Sequence, residues 1–330
     1  MKKVFLYLSI VLLVISCKEE KQQNKRIVGN VFGTSYSVQY FGFETEVDFK
    51  EQFEKLFYVI NRSMSTYQAN SFISKINANE ETTIDSHFRK VFDASKEIYQ
   101  LTNGAFDPTI GIMVNAWDFG PDKAIENLDE QKIDSLMRTV GLDKVTRDGD
   151  VINKEHPGTQ LDFNAIAKGY AVDVIAEFLE TQNVENYLVE IGGEVRTKGV
   201  NMSSEQPWRI GVENPNFDGS QTIVKAISLE GEAMATSGTY RKFKVDSEGN
   251  RYAHIIDAKT GYPSKTNLLS ISVIASDCMT ADAYATVFKT MGVEGVTHFL
   301  KEHNDLKAFL IFENDKKELE TLSLNGFPEK

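Results

Sequence analysis

The chain has 330 residues, of which 41% are hydrophobic and 25% are charged, so it is long enough to bury a full core and is unlike a disordered protein in composition. One large domain or two closely packed ones would fit this length. The formal net charge of -12 argues against sequence-independent binding of nucleic acid, and no nucleic-acid partner is expected. An anionic ligand would need a local basic or metal site.

The N-terminus has the pattern of a lipoprotein signal peptide. Two lysines precede an apolar run over residues 4–15, which is shorter than the roughly 20 residues that span a bilayer. The following Ser-Cys17 resembles the end of a bacterial lipobox, which implies cleavage before Cys17 and lipid attachment to its thiol. We therefore expect a signal peptide at 1–16, a lipidated polar tether at 17–26, and a functional domain at 27–330 on the periplasm-facing membrane of the cell envelope. A simple secretory signal with an incidental cysteine is the alternative.

Hydrophobic periodicity predicts both helices and strands along the rest of the chain. The predicted helices cover about residues 49–61, 86–101, 129–140, a stretch opening near 164, and a stretch after 277. The predicted strands cover 35–41, 187–191, 208–212, 222–229, 268–274 and 308–312. Residues 105–111 are expected to be extended and rich in turns, because Pro108 disfavours a helix before it. Polar turns between the later strands favour antiparallel pairing, so the sequence predicts an α+β fold with antiparallel sheets and packed helices.

Residues 161–173 have the layout of an anion site. A strand-like run ends there, a polar turn follows, and a helix opens with Lys168 in its first turn. Asn164 is expected to cap this helix, whose unpaired N–H groups and dipole favour a phosphate. Gly169 inside the helix indicates close packing or a ligand near the backbone. The alternative is a solvated lysine on an ordinary amphipathic helix.

The last predicted helix places a carboxylate and a hydroxyl one turn apart. Asp282 and Thr286 are four residues apart and share one face, which we expect at the helix surface. Oxygen ligands of this kind suit Mg²⁺, which usually keeps waters or substrate phosphates in its shell. A capping or solvent-facing pair is the alternative.

Seven short motifs, met in chain order, carry a resemblance to a known family. They are Met64-Ser-Thr-Tyr67, Gly104-Ala-Phe-Asp-Pro-Thr109, Asp162-Phe-Asn-Ala-Ile-Ala-Lys-Gly169, Ile191-Gly-Gly-Glu194, Ala235-Thr-Ser-Gly-Thr-Tyr-Arg241, His254-Ile-Ile-Asp-Ala-Lys-Thr-Gly-Tyr-Pro263 and Ala281-Asp-Ala-Tyr-Ala-Thr286. Together they resemble the ApbE family of FAD:protein FMN transferases over nearly all of the mature chain. The resemblance implies a fold related to the T-fold, with FAD bound in a cleft between its two halves.

The resemblance also implies roles for individual residues. Asp282 and Thr286 match side-chain ligands of Mg²⁺, and Ala165 matches a position that offers its backbone carbonyl. Tyr67 matches an aromatic position against the flavin ring, for which a core tyrosine is the alternative. The positions that match contacts to FAD are Tyr67, Ala105, Phe106, Asp107, Asp162, Lys168, His254 and Ile256.

His254 and Asp257 are the expected catalytic residues, and either of them could take the proton. His254 resembles the active-site histidine of the family, although a lone histidine is more often structural, and Asp257 could orient it or a substrate hydroxyl. The implied reaction moves FMN from FAD to a threonine or serine hydroxyl of an acceptor flavoprotein, expected to belong to a membrane redox complex, and releases AMP. Two alternatives remain at this point, an Mg²⁺-dependent FAD pyrophosphatase and a non-catalytic FAD-binding lipoprotein.

Overall fold

The computed structural model describes residues 22–42, 48–239, 243–245 and 251–329. The expected signal peptide and Cys17 lie outside these residues. Among the described residues, no helix combines the length and the apolar composition that a membrane span requires. The helices of the described part are α1 Lys50–Met64, α2 Phe72–Asn77, α3 Ser86–Leu101, α4 Gly111–Ala116, α5 Glu130–Met137, α6 Ala167–Thr181 and α7 Cys278–Phe299.

Antiparallel strands form the frame of the molecule. The strands of the described part are β1 Gln23–Val31, β2 Thr34–Gly42, β3 Val145–Asp148, β4 Val151–Lys154, β5 Tyr187–Ile191, β6 Glu194–Lys198, β7 Val200–Asn201, β8 Gln206–Glu213, β9 Ile223–Leu229, β10 Ala233–Gly238, β11 Phe243–Val245, β12 Arg251–Ala253, β13 Leu268–Ala275, β14 Lys307–Glu313 and β15 Leu319–Leu324. Eight of them build one sheet in the order β1-β2-β5-β6-β10-β13-β14-β15, and every neighbouring pair in it is antiparallel. Strands β7, β8 and β9 form a smaller sheet.

The large sheet is covered on both faces, which explains why its central strands read as continuous apolar runs. Along β5, Val189 belongs to the core that also contains residues of α1, α3, α6 and α7. Its neighbour Leu188 points the other way, into a second core with Trp208 and Ile210 of β8. All eight residues of β13 are buried. The mixed helix and antiparallel-sheet class predicted from the sequence is confirmed.

Several boundaries differ from the sequence-based expectation. Strand β1 begins at Gln23, so the last residues of the expected tether belong to the folded domain, which starts before residue 27. The segment at 105–110 is a turn as predicted, but α4 begins directly after it at Gly111. A third core cluster forms there from Met113, Phe119, Ile133 and other residues around α4 and α5.

Candidate active site

Helices α6 and α7 touch at a glycine. The backbone N–H of Gly169 donates a hydrogen bond to Asp282 Oδ2 at 3.0 Å. A Cβ added at Gly169 would lie 2.1 Å from the carbonyl oxygen of Cys278 and 2.8 Å from Asp282 Cβ. The close packing predicted for Gly169 is therefore confirmed, and the contact brings the start of α6 beside the metal-ligand candidate on α7.

The turn that opens α6 differs from the prediction in one respect. The helix starts at Ala167 with Ile166 at its N-cap and no side-chain cap, so the expectation that Asn164 caps it is wrong. Asp162 Oδ1 accepts the N–H of Asn164 at 2.7 Å instead. The carbonyl of Phe163 accepts the N–H groups of Ile166 and Ala167. Lys168 is the second helical residue, in the first turn as predicted.

Lys168 forms a buried ion pair that the sequence analysis missed. Its Nζ lies 2.5 Å from Glu194 Oε1, and the Glu194 side chain is only 3% exposed. Burial alone would lower the pKa of the Lys168 ammonium, but the charges of Glu194 and Asp282 raise it above its usual value. Burial raises the pKa of Glu194 against the opposing effect of Lys168. Among the described residues, no donor pairs with Glu194 Oε2, so the second carboxylate oxygen is a buried acceptor without a partner.

The candidate metal ligands supply oxygen atoms only. Asp282 is 4% exposed rather than at the helix surface as expected, because α6 packs over it. Burial raises the pKa of its carboxyl group, an effect that Lys168 opposes. The hydroxyl of Thr286 lies 3.2 Å from Ser237 Oγ, and Ala165 lies in the turn before α6. One carboxylate, one hydroxyl and one carbonyl fit Mg²⁺, which takes few protein oxygens beside waters and phosphates.

A metal held mainly by acidic or imidazole side chains fits the site less well. Within residues 22–42, 48–239, 243–245 and 251–329, no cluster of three or more His, Cys, Asp or Glu side chains could hold a metal ion. The remaining coordination positions would therefore belong to water or to substrate phosphate oxygens.

Asp173 links the start of α7 to α6 by hydrogen bonds, and the sequence analysis did not identify this residue either. Its carboxylate accepts the N–H groups of Cys278 at 2.9 Å and Met279 at 2.8 Å. It also accepts from Arg196 Nη1 at 2.8 Å, which ties both helices to β6. A buried carboxylate at the N-terminus of a helix satisfies its unpaired donors and complements its dipole. The position of Asp282 one turn further along is thereby fixed.

Tyr67 is 60% exposed, so the alternative of a core tyrosine is excluded. Partial burial and then the charge of Asp162 raise the pKa of its hydroxyl. The N–H of Asp162 in turn donates to the carbonyl of Pro108 at 2.7 Å. The segment at 105–110 thus lies against the turn that opens α6.

Within that segment, two of the predicted flavin contacts have buried side chains. Phe106 packs in the main core at 3% exposure, and Asp107 accepts from Thr109 N at 2.8 Å and Thr109 Oγ1 at 2.6 Å. Burial raises the pKa of Asp107 to about 6. Ala105 is half-buried, so the segment would meet a nucleotide through Ala105 and its backbone.

The expected catalytic residues lie across α4 from the turn that opens α6. Strand β12 ends at Ala253, and the half-buried ring of His254 lies 6.3 Å from that of Phe119. Asp257 Oδ1 accepts the N–H of Lys259 at 2.8 Å and so shapes the turn at 257–261. Ile256 is buried in the third core cluster with α4, whose first residue packs against Asp162. Helix α4 thus packs against both the expected catalytic segment and the turn that opens α6.

Comparisons with known proteins show which family the chain is similar to. The sequence model described as the ApbE family matches residues 32–310. A curated FAD:protein FMN transferase of Haemophilus influenzae is 36% identical over 345 aligned residues, covering 100% of this chain and 96% of that relative. A relative of the same name from Vibrio cholerae is 34% identical, with all of both chains covered.

Solved structures are similar as well. The flavin transferase ApbE from Vibrio cholerae superposes with a TM-score of 0.82 at 32% identity, covering 92% of this chain and 97% of that one. The apo form of the flavinyl transferase ApbE from Pseudomonas stutzeri gives a TM-score of 0.81 at 28% identity, covering 92% and 95%. Because the family model matches most of the chain and full-length relatives exceed 30% identity, the chain belongs to the ApbE family.

Proposed function

We propose that this chain is an Mg²⁺-dependent FAD:protein FMN transferase. It takes FAD as substrate, moves FMN to a threonine or serine hydroxyl of an acceptor flavoprotein, and releases AMP. The observation that carries the proposal is the buried group of Lys168, Glu194 and Asp282 at the start of α6. The full-length similarity to curated transferases supports the same activity.

The start of α6 suits a pyrophosphate. Lys168 offers a positive charge at the positive end of the helix dipole, and Glu194 fixes the ammonium. Asp282, Thr286 and the carbonyl of Ala165 would hold Mg²⁺. When bound, Mg²⁺ supplies charge that neutralises phosphate oxygens. We place FAD in a cleft that Tyr67 and the segment at 105–110 border.

The attacking atom belongs to the acceptor. Its hydroxyl oxygen forms a bond to the FMN phosphorus, the bond between that phosphorus and the AMP oxygen breaks, and the hydroxyl proton passes to His254 or Asp257. Among the described residues, Cys278 carries the only thiol, and burial raises its pKa well above its usual value, which disfavours a covalent intermediate on it. Direct transfer then needs only positioning, charge neutralisation and a base.

Product analysis tests the proposal. The purified chain is incubated with FAD, Mg²⁺ and an acceptor domain carrying the threonine target motif of the family. We expect AMP and an acceptor band whose flavin fluorescence survives denaturation, and no band from the Thr→Val acceptor. Free FMN with AMP at equal rates with and without acceptor would identify a pyrophosphatase, and unchanged FAD would identify a binding protein.

We further infer that the mature chain is anchored by lipid on Cys17 at the periplasm-facing membrane, where an acceptor in a membrane redox complex would be within reach. The motif before Cys17 supports this location. Metabolic labelling with a fatty-acid analogue should tag the wild-type protein and not Cys17→Ser. Equal labelling of both proteins would refute the anchor.

A further inference from the structure

The large sheet opens between β6 and β10, beside the proposed phosphate site. Strand β10 pairs with β13 along its whole length, from Ala233 to Gly238. On its other side it pairs with β6 only at Ala233 and Met234. Beyond Met234 the two strands part, and β6 gives way to the glycine pair before Glu194. Within the described part of the chain, the end of β10 therefore has one edge without a neighbouring strand.

The backbone groups on this edge can be identified from the alternation of an antiparallel ladder, in which successive residues bond to opposite neighbours. The N–H of Thr239 donates to the carbonyl of Leu269, so the odd-numbered residues of β10 face β13. Thr236 and Gly238 consequently direct their N–H and C=O groups toward β6. Among the described residues, no backbone or side-chain group bonds to them there. Unpaired groups of this kind are a template for strand addition.

A cavity of about 290 Å³ lies against the same edge. Its lining is mixed. The apolar residues Leu188, Val195, Ile210 and Met234 come from both sheets, and Thr236 and Gly238 lie on the edge itself. The charged residues Glu190, Arg209 and Glu213 also line the cavity. The volume is just below the roughly 300–1,000 Å³ of small-molecule pockets. It suits one or two side chains better than a whole dinucleotide.

On the opposite face of the sheet, the gap lies next to the phosphate site proposed at the start of α6. Ser237 points to that face, where its hydroxyl lies 3.2 Å from Thr286. Across the gap, Glu194 at the start of β6 holds Lys168 on the same face. Because side chains alternate along a strand, a segment inserted here would direct one side chain toward these residues and the next into the cavity.

We propose that an extended segment of the acceptor protein adds as a strand to β10 at Thr236–Gly238. Its threonine or serine side chain faces Thr286 and Lys168, and a neighbouring side chain fills the cavity. Main-chain hydrogen bonds supply affinity in such strand addition, and the pockets for alternate side chains supply specificity. The inference rests on the proposed transferase function and assigns the acceptor its place.

Residue-resolved hydrogen exchange on the wild-type protein tests the docking. The probe is the acceptor domain used for product analysis, added without FAD, and FAD alone is a separate sample. We expect the acceptor to slow exchange of the Thr236 and Gly238 amides at least tenfold. The Thr239 amide, already bonded to Leu269, is the internal control and should change little. No protection by the acceptor, or protection by FAD alone, would overturn the proposal.

A pair of variants at one position gives a functional readout. Thr236→Pro removes the unpartnered N–H together with the hydroxyl, whereas Thr236→Val removes only the hydroxyl that contacts Ser272. The KM for the acceptor should be at least tenfold higher in Thr236→Pro than in Thr236→Val, and equal values would contradict the docking mode. Should Thr236→Pro fail to fold, the exchange measurement decides. A wild-type protein that labels the acceptor without protecting these amides refutes only the docking, whereas absence of labelling refutes the transferase function and the docking with it.

Discussion

The contact of α6 with α7 at Gly169 allows a quantitative prediction. An added methyl group would lie 2.1 Å from the Cys278 carbonyl oxygen and 2.8 Å from Asp282 Cβ. The first neighbour is backbone, so rotation of a side chain cannot relieve the clash. The substitution Gly169→Ala must therefore push the two helices apart by roughly 1 Å to reach ordinary van der Waals separation.

Two effects of opposite sign set the loss of stability. Overpacking of a tight core contact costs about 1–3 kcal/mol, and replacing a helical glycine with alanine returns up to about 1 kcal/mol. The free energy of unfolding should thus fall by at most about 3 kcal/mol. Activity should suffer more, because Asp282 moves relative to Lys168 and Ala165, and a displacement of about 1 Å in a site can cost about 100-fold in rate.

The assay is AMP release from FAD at saturating Mg²⁺ in the presence of the acceptor domain, with urea unfolding of the same preparations. Gly158→Ala is the matched control, because Gly158 is exposed and its nearest neighbour, Thr139 Cγ2, would lie 3.4 Å from the new methyl group. We expect the control to keep both activity and stability. Wild-type AMP release by Gly169→Ala would refute the conclusion that this contact positions the site.

Three further predictions concern single side chains. Burial lowers the pKa of Lys289 to about 8 from 10.5. At pH values between these two pKa values, the unfolded chain binds the proton and the folded chain does not. The free energy of unfolding should therefore rise with pH by up to about 3 kcal/mol. Lys289→Met should lose this rise in urea titrations and unfold at higher urea at pH 7; an unchanged pH slope would count against the argument. Asp282→Asn should lower Mg²⁺-dependent AMP release by at least about 100-fold while circular dichroism stays native, and wild-type rates would remove the metal assignment. His254→Ala should slow acceptor labelling about 100-fold with FAD affinity, measured by flavin fluorescence, within a few-fold of wild type, whereas lost FAD binding would make the histidine a binding residue.

The sequence predicted secondary-structure elements correctly where the local pattern is strong. The helix predicted at 86–101 has its observed bounds because Asp85 caps it and its buried residues recur at helical spacing. The strand predicted at 187–191 also has its observed bounds, since both of its faces are covered and its apolar run is continuous. The α+β class and the family followed from such segments and from the motif order.

Long-range contacts could not be read in this way. Glu194 pairs with Lys168 and Asp173 caps α7 only because distant segments meet, and no local pattern marks either contact. Asp282 seemed to belong at a helix surface, since its spacing from Thr286 says nothing about what packs over it. Asn164 has the residue type of a cap, yet the carboxylate two residues earlier closes that turn. For Glu194, Asp173 and Asp282, tertiary packing decided between options that were locally equivalent.

The mass of the acceptor after reaction tests the transferase function most directly. Acceptor domain, FAD and Mg²⁺ are incubated with the wild-type chain, and intact acceptor mass and released AMP are followed together. We predict that the acceptor gains the mass of one FMN phosphoester, that AMP appears in equal amount, and that the Thr→Val acceptor gains nothing. An acceptor of unchanged mass, with AMP and free FMN accumulating at the same rate whether or not it is present, would contradict the proposed function.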